Sequence, residues 1–296
     1  MIALMAFPLA QYLVFWLYVN VQTLALSFQE FDHFTGTYKF VWFDNYARLI
    51  GTLTKDPTMI NAFKNTFHAM WINFIVLPIA VTVAYSFFKR VRGEKFFRVA
   101  FYLPSMVSIV VLTLCFKYMF NNNESVFVGP MASVLNALQI EFSGWDPIND
   151  PDTVWTLVYL YCIWAGLGTN VIMLAGALNR IPSSIVESAK LDGVGFWREL
   201  LVIDLPLIMP TVSTFVLTSV MSVFSFYLPP MLLAESQGVE GSLYTIPWYI
   251  FEFAQSGSND VLIDVTTVGL IFSCIMFPVI FVSKKVMDKI TPDVSF

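Results

Sequence analysis

The stretch TVWTLVYLYCIWAGLGTNVIMLAGAL, residues 153–178, decides what kind of molecule this is. It contains no charged side chain. A helix rises 1.5 Å per residue and bilayer hydrocarbon is about 30 Å thick, so roughly 20 apolar residues make one crossing. This stretch is long enough to cross, and it is too apolar all round for a helix lying on a soluble core. Directly after it comes NRIPSSIVESAKLDGVGFWRELLVIDLPLIMP (179–210), which is charged and amphipathic. A crossing followed by a polar platform sets the reading of the remainder.

Five further stretches have the same character: 3–27, 66–88, 99–120, 211–234 and 261–283. The expectation is an all-α polytopic membrane protein: one domain, 1–296, with six transmembrane helices and a cytoplasmic helix in the loop 179–210. Lys117 and Asp264 are the ionisable residues inside the spans, near span ends, where they reach an interface. Across 296 residues 57% are hydrophobic and 12% charged, and the mean hydropathy is +0.70. An average soluble domain carries about 25% charged residues; with half that, this chain cannot cover a globule of its size. The first stretch is not read as a cleaved signal peptide, because it has no basic leader and is too long. The formal charge of −5 and the lack of a basic stripe exclude nucleic acid as a partner, leaving lipid as the surroundings. Cys115, Cys162 and Cys274 lie inside apolar runs and read as buried thiols. His33 and His68 lack the spacing of a metal site.

Lys and Arg set the orientation. Lys89, Arg90, Arg92, Lys95, Arg98, Arg180, Lys190, Arg198, Lys284, Lys285 and Lys289 fall on one side; Lys39, Arg48, Lys55 and Lys64 fall on the other. Both termini are therefore expected in the cytoplasm. The opposite side is acidic, with Glu124, Glu141, Asp146, Asp150, Asp152, Glu235, Glu240, Glu252 and Asp260. On that side the aromatic segment 28–65 is expected to lie partly along the membrane surface.

The loop 179–210 is long for a connector. Pro182 and Ser183 begin a first helix, and Ser184 with Glu187 has the S-x-x-E spacing of a capping box. Ile185, Val186, Ala189 and Leu191 give it an apolar side, and Gly193 stops it. A second amphipathic piece follows from Phe196 to Asp204, and Pro206 and Pro210 lead into the fifth span.

Glu187, Ser188, Ala189, Asp192 and Gly193, followed by Ile203, Leu205 and Pro206, resemble the EAA loop of binding-protein-dependent ABC transporter permeases, E-A-A-x-x-D-G-A then I-x-L-P. Ser188 stands where that family has its first alanine. The segments FVWFDNYARLI (40–50), DPTMINAFKNTF (56–67) and GEKFFRVAFYLPSMVS (93–108) are similar to the carbohydrate-uptake branch, with Trp42 in place of a usual glycine. The resemblance implies a type I importer permease in a bacterial cell membrane, importing a sugar or oligosaccharide. It implies that the loop is a coupling helix docking in a groove of a separate ATPase. There Glu187 would accept hydrogen bonds or ion pairs, Ala189, Val194 and Phe196 would fill the groove, Gly193 would permit the turn, and Asp192 and Pro206 would complete the motif. It also implies a second permease subunit, two ATPase copies and an extracytoplasmic solute-binding protein on the loops 28–65, 121–152 and 235–260. The chain has no G-x-x-x-x-G-K-[ST] phosphate loop, so no cofactor is expected on it and ATP and Mg belong to partner subunits. It is not expected to be an enzyme.

Polar groups at bilayer depth are costly and mark candidate pathway positions. Gly166, Thr169 and Asn170 near the middle of the fourth span, and Ser222, Phe226 and Tyr227 in the fifth, are the candidates for the substrate pathway. The alternative for the hydroxyls is bonding back to their own helix. Asn20, Gln22 and Asn73 read as helix-packing polars. Pro78, Pro229 and Pro230 are expected to kink their spans. An ion-driven secondary transporter would need an acidic residue at a span centre, a membrane enzyme would need clustered His, Asp or Ser, and neither pattern occurs. A permease for another solute such as glycerol phosphate is the remaining alternative.

Overall fold

The computed structural model describes residues 2–120, 122–123, 127–137, 153–234 and 242–291. The acidic outer residues Glu124, Glu141, Asp146, Asp150, Asp152, Glu235 and Glu240 lie outside this set. Among the described residues four helices are long and apolar enough to cross a bilayer unbroken: Met5–Leu26, Pro57–Phe88, Val154–Leu178 and Asn259–Ile290. The other two apolar stretches are interrupted: Glu94–Met106 meets Ile109–Met119 at 109°, and the fifth, which the loop helix Phe196–Leu207 enters at 80°, runs helically over Met209–Phe224 and restarts at Leu228. The six apolar stretches are therefore present, but the third and fifth are not the straight spans 99–120 and 211–234 that their composition predicts.

The breaks have local causes. In the third span Pro104 precedes a turn at Val107, whose ψ of 146° leaves the helical region, and Ser108 is extended as well. In the fifth, a 3₁₀ turn over Ser222–Phe224 gives way to a non-helical Ser225–Tyr227, and a short helix, Leu228–Leu233, restarts with Pro229 and Pro230 in its first turn. Proline lacks the N–H that an interior position needs, so it favours a helix start. By contrast the second span runs unbroken through Pro78, whose carbonyl accepts a bond from Thr82 Oγ1 at 2.9 Å. That helix also begins nine residues before the predicted 66. The Asp56 side chain caps it by accepting from the Thr58 N–H at 2.9 Å, with Pro57 at the first position.

The core lies between Pro57–Phe88 and Val154–Leu178. Ala62, Ala80, Ala84, Val158, Val171, Leu174 and Leu178 are fully buried there. Small residues let the backbones approach, which is what association in lipid requires. Gly168 is the tightest case: a Cβ built on it would stand 2.5 Å from the Phe101 carbonyl oxygen and 2.8 Å from Ser105 Oγ. Polar bonds join the bundle across spans. Asn65 donates to the Tyr244 carbonyl at 2.9 Å, the Ile246 N–H donates to Thr66 Oγ1 at 2.9 Å, and Thr113 and Tyr161 hydroxyls are 2.6 Å apart. The first helix, Met5–Leu26, is exposed along its length. Cys115 and Cys274 face outward and Cys162 is half-buried, so the reading of all three as buried thiols does not hold.

The segment 28–65 does more than lie along a surface. Gln29–Asp32 and Thr37–Phe40 pair as an antiparallel hairpin, and an amphipathic helix, Asp44–Leu53, follows. The Lys39 ammonium beside Asp32 holds that carboxyl well below the usual range. Asn45 Nδ2 ties helix to hairpin through the Ser27 and Gln29 carbonyls at 3.0 and 2.8 Å. Arg48 grips Asp264 through both oxygens, at 2.5 and 3.2 Å, and His33 Nε2 lies 2.6 Å from Asp260. The unit is thus docked on the start of the sixth span, which explains an acidic residue inside that span. Between hairpin and helix, Trp42 has φ of 54°, the left-handed region where glycine costs least. This is the position at which the resemblance above expects glycine.

Two stability predictions follow from these contacts. Gly168→Val forces the third span off the fourth and should lower stability by about 2 kcal/mol or more, read as an earlier thermal transition of the purified protein in nanodiscs. Trp42→Gly should stay within about 1 kcal/mol of wild type, whereas Trp42→Val should cost about 2 kcal/mol because a β-branched side chain cannot relax there. Equal transitions for the two Trp42 variants would show that the backbone at this turn is not strained.

Candidate translocation path and coupling platform

Two cavities lie end to end inside the bundle. The larger, about 800 Å³, is lined by Asn73 and Leu77 of the second span, by Thr169, Asn170, Met173, Gly176, Ala177 and Arg180 from the fourth, and by residues from Pro210 to Ser222 of the fifth. The smaller, about 400 Å³, is lined by Gly166, Tyr161 and Cys162, by Pro104, Ser105, Val107 and Ile109, and by Ser222, Ser225, Phe226 and Pro229. Both span breaks therefore open onto the second cavity. Asn73 and Ser222 line both, and Asn73 Nδ2 donates to Ser222 Oγ at 2.7 Å where the cavities meet.

This arrangement brings together five of the six predicted pathway residues. Thr169, Asn170 and Ser222 line the larger cavity, and Gly166, Ser222 and Phe226 line the smaller. Tyr227 is outside both; its ring stacks on Phe251 at 4.6 Å. The alternative of back-bonding is partly realised. Ser219 donates to the Phe215 carbonyl at 2.8 Å, Ser222 to Ser219 at 2.7 Å, and Asn170 Nδ2 to Gly166 at 3.0 Å. These bonds use the serine hydroxyl donors, and Ser222 Oγ also accepts from Asn73. The Thr169 hydroxyl makes no hydrogen bond among the described residues.

Two lining residues were assigned otherwise from sequence. Asn73 is more than a packing polar, since it bridges two spans and borders both cavities. Its signal was an amide at mid-span, which packing also explains. Arg180 was counted in the loop, yet it lines the inner mouth of the larger cavity, and its exposed guanidinium forms no ion pair among the described residues. Among the described residues it is the one charged side chain lining that cavity, beside hydroxyls, amides and apolar groups.

The loop after the fourth span folds as two helices. Ser183–Leu191 ends in a Schellman motif: the Gly193 N–H bonds to the Lys190 carbonyl at 3.2 Å, the Val194 N–H to Ala189 at 3.2 Å, and Gly193 takes φ of 66°. The predicted stop at Gly193 is therefore in place. The capping box is not. The helix starts at Ser183 without a side-chain cap, and the Ser184 carbonyl is taken by Ser188 Oγ at 2.8 Å. Glu187 is instead exposed and makes no hydrogen bond among the described residues.

The platform's two faces also differ from the prediction. Ala189 is buried in this chain and not free to fill a partner's groove, whereas Phe196 packs against Tyr85, ring centroids 4.7 Å apart, and keeps an exposed edge. Val194 is half-buried. Outward apolar side chains include Leu191, 89% exposed, and Trp197, 60% exposed, near Glu187, Asp192 and Gly193, and further along the second helix Leu201 and Val202. Periodicity alone could not separate these faces, because apolar residues occur on both.

The second loop helix, Phe196–Leu207, contains a π-helical segment, Glu199–Asp204, just before Pro206. The wider turn accommodates a proline that an α-helix would exclude. It turns Glu199 and Asp204 inward, where Glu199 pairs with Lys89 at the end of the second span. Lys89 also lies over the Tyr85 and Phe88 rings, at 5.4 and 5.7 Å. Asp204 is fully buried with both oxygens unpartnered, and the Tyr85 hydroxyl beside it is unpartnered as well. Burial, reinforced by Glu199, pushes the Asp204 carboxyl up to about 6. Among the described residues no cluster of His, Cys, Asp and Glu has the makings of a metal site.

Comparison with known proteins adds to this geometry. Residues 76–296 match the family described as "Binding-protein-dependent transport system inner membrane component". The chain is similar to the arabinooligosaccharides transport system permease protein AraP of Bacillus subtilis, 26% identical over 81% of this chain and 74% of the relative. It is also similar to the sn-glycerol-3-phosphate transport system permease protein UgpA of Shigella dysenteriae, 26% identical over 92% and 90%. Its fold superposes on a chain of a bacterial ABC transporter involved in the import of the acidic polysaccharide alginate, with a TM-score of 0.82 over 98% of this chain and 95% of that one, at 19% identity.

Proposed function

This chain belongs to the family of binding-protein-dependent transport system inner membrane components, and from that premise we propose that it is one half of a sugar- or oligosaccharide-conducting pathway driven by separate ATPase subunits. It is a membrane permease component of an importer and not itself an enzyme. One observation carries the pathway reading: the interruptions at Val107–Ser108 and Ser225–Tyr227 both border one interior cavity, whose largely apolar wall carries Asn73, Ser105, Ser222 and Ser225. Non-helical backbone at membrane depth is tolerated only where protein or water satisfies it, and discontinuous helices of this kind surround solute sites in transporters.

In this reading the solute passes between the second, fourth and fifth spans. Thr169, Asn170, Ser222 and Asn73 offer amide and hydroxyl groups to sugar hydroxyls, Gly166 gives room, and Phe226 offers a ring face. The Asn73–Ser222 bond closes the passage between the cavities. On the inner face Leu191 and Trp197 seat in the ATPase groove, with Glu187 and Asp192 at its rim and Gly193 holding the elbow. ATP and Mg sit on that partner. The exposed first helix is the surface on which a second, similar permease packs, and a solute-binding protein delivers from the outer side. Lys and Arg counts support a bacterial inner membrane location with both termini in the cytoplasm.

The test is reconstitution of the assembled complex in proteoliposomes with its binding protein and a panel of glycans. The reading expects ATP hydrolysis and uptake to rise together with a sugar-loaded binding protein. Uptake driven by an ion gradient without ATP would contradict it. A second reading, an anionic solute, is favoured by the unpaired Arg180 at the inner mouth and by the similarity to a glycerol phosphate permease. Arg180→Gln separates the two. A loss of uptake of about tenfold for anionic solutes only, the worth of one charge-assisted hydrogen bond, would establish the second reading; no change for any solute would leave the neutral-sugar reading.

A further inference from the structure

The joint between the second span and the second loop helix is buried and charged, which is unusual for a connection that packing alone could make. We propose that Lys89 and Glu199 are positioning residues for transport: their pair is the mechanical joint through which displacement of the coupling platform moves the second span and, with it, Asn73 between the two cavities.

Four observations support this. Glu199 is buried and Lys89 half-buried, so their attraction is screened less than that of a surface pair. Lys89 caps the C-terminus of Pro57–Phe88, where the helix dipole favours a cation, so the charge is fixed to that helix and not to a loose tail. Phe196 rests on Tyr85, which locks the platform's second helix to the same end of the same span. Finally, that span is one unbroken helix, and Asn73 sits 16 residues before Lys89, about 24 Å along it at 1.5 Å per residue. A push at Lys89 is therefore felt at the Asn73–Ser222 bond.

The joint also has room for a second arrangement. The Tyr85 hydroxyl and both Asp204 oxygens are buried side by side without partners. A small shift of the platform along the span would let Tyr85 donate to Asp204, and Lys89 would then stand between two carboxylates. The unsatisfied groups thus give the joint a reason to move between two positions rather than to stay in one.

This inference rests on the transport reading, and the wild-type complex separates their failures. If wild type shows no ATP-dependent uptake, the transport reading fails. If it transports, Glu199→Gln, which keeps shape and removes charge, should assemble and hydrolyse ATP while uptake per ATP falls about tenfold, within the usual range of a site-to-site coupling energy. The exchange Lys89→Glu with Glu199→Lys should restore the ratio. A merely structural pair would lower hydrolysis and uptake in parallel. An unchanged ratio in Glu199→Gln, or a lost ratio that the exchange does not restore, overturns the proposal. If Glu199→Gln does not assemble, Lys89→Gln, which removes the other charge, decides: an uptake-to-ATP ratio reduced about tenfold supports the joint, and a normal ratio overturns it.

Discussion

Lipid offers no hydrogen bonds, so every interrupted turn of a membrane helix must find its partners inside the protein. This constraint organises the bundle. Four helices avoid the problem by running unbroken across. The third and fifth do not, and both breaks are turned toward the same interior cavity. The freed Phe226 carbonyl is taken by Thr245 Oγ1 at 3.1 Å, and the 3₁₀ and turn bonds over Ser222–Tyr227 satisfy most of the rest. The interior cavity is thus bordered by the interruptions that follow Pro104 and precede Pro229 and Pro230.

The same logic orders the two ends of the second span. Its outer end is fixed by Asp56 and by bonds to the Tyr244–Ile246 segment; its inner end is fixed by Lys89 and Glu199. Between them it packs on the fourth span through alanines and valines that are almost wholly buried. A helix held at both ends and close-packed along its middle moves as a unit. The outer hairpin and helix play a parallel part for the sixth span, gripping it through Arg48 and Asp264.

Much of this was legible in the sequence. Six apolar stretches, the Gly193 elbow and several of the cavity-lining residues follow from hydropathy, glycine stereochemistry and the cost of polar groups in hydrocarbon. What escaped did so for physical reasons. The bends depend on which carbonyls the bundle can satisfy, and composition does not carry that. The loop's inward face is set by contacts such as Phe196 on Tyr85 and Glu199 with Lys89, more than a hundred positions earlier, and Ala189 is buried where an exposed face was expected. Helix amphipathicity names a face without naming its neighbour. Asn73 and Arg180 each had a sufficient local explanation, and only their placement around one cavity gives them a further use. Trp42 is the opposite case: its departure from the expected glycine is visible in the sequence, and the backbone shows what that glycine is for.

The central claim is that the platform 183–207 faces the cytoplasm and is gripped there by a motor subunit. The most direct measurement places a single cysteine at Leu191, the most outward apolar side chain of the platform, and labels it with a membrane-impermeant thiol reagent from either side of sealed vesicles. The account predicts labelling only from the cytoplasmic face, and protection when the ATPase subunit is bound. Labelling from the outer face, or labelling unaffected by the ATPase, would contradict it.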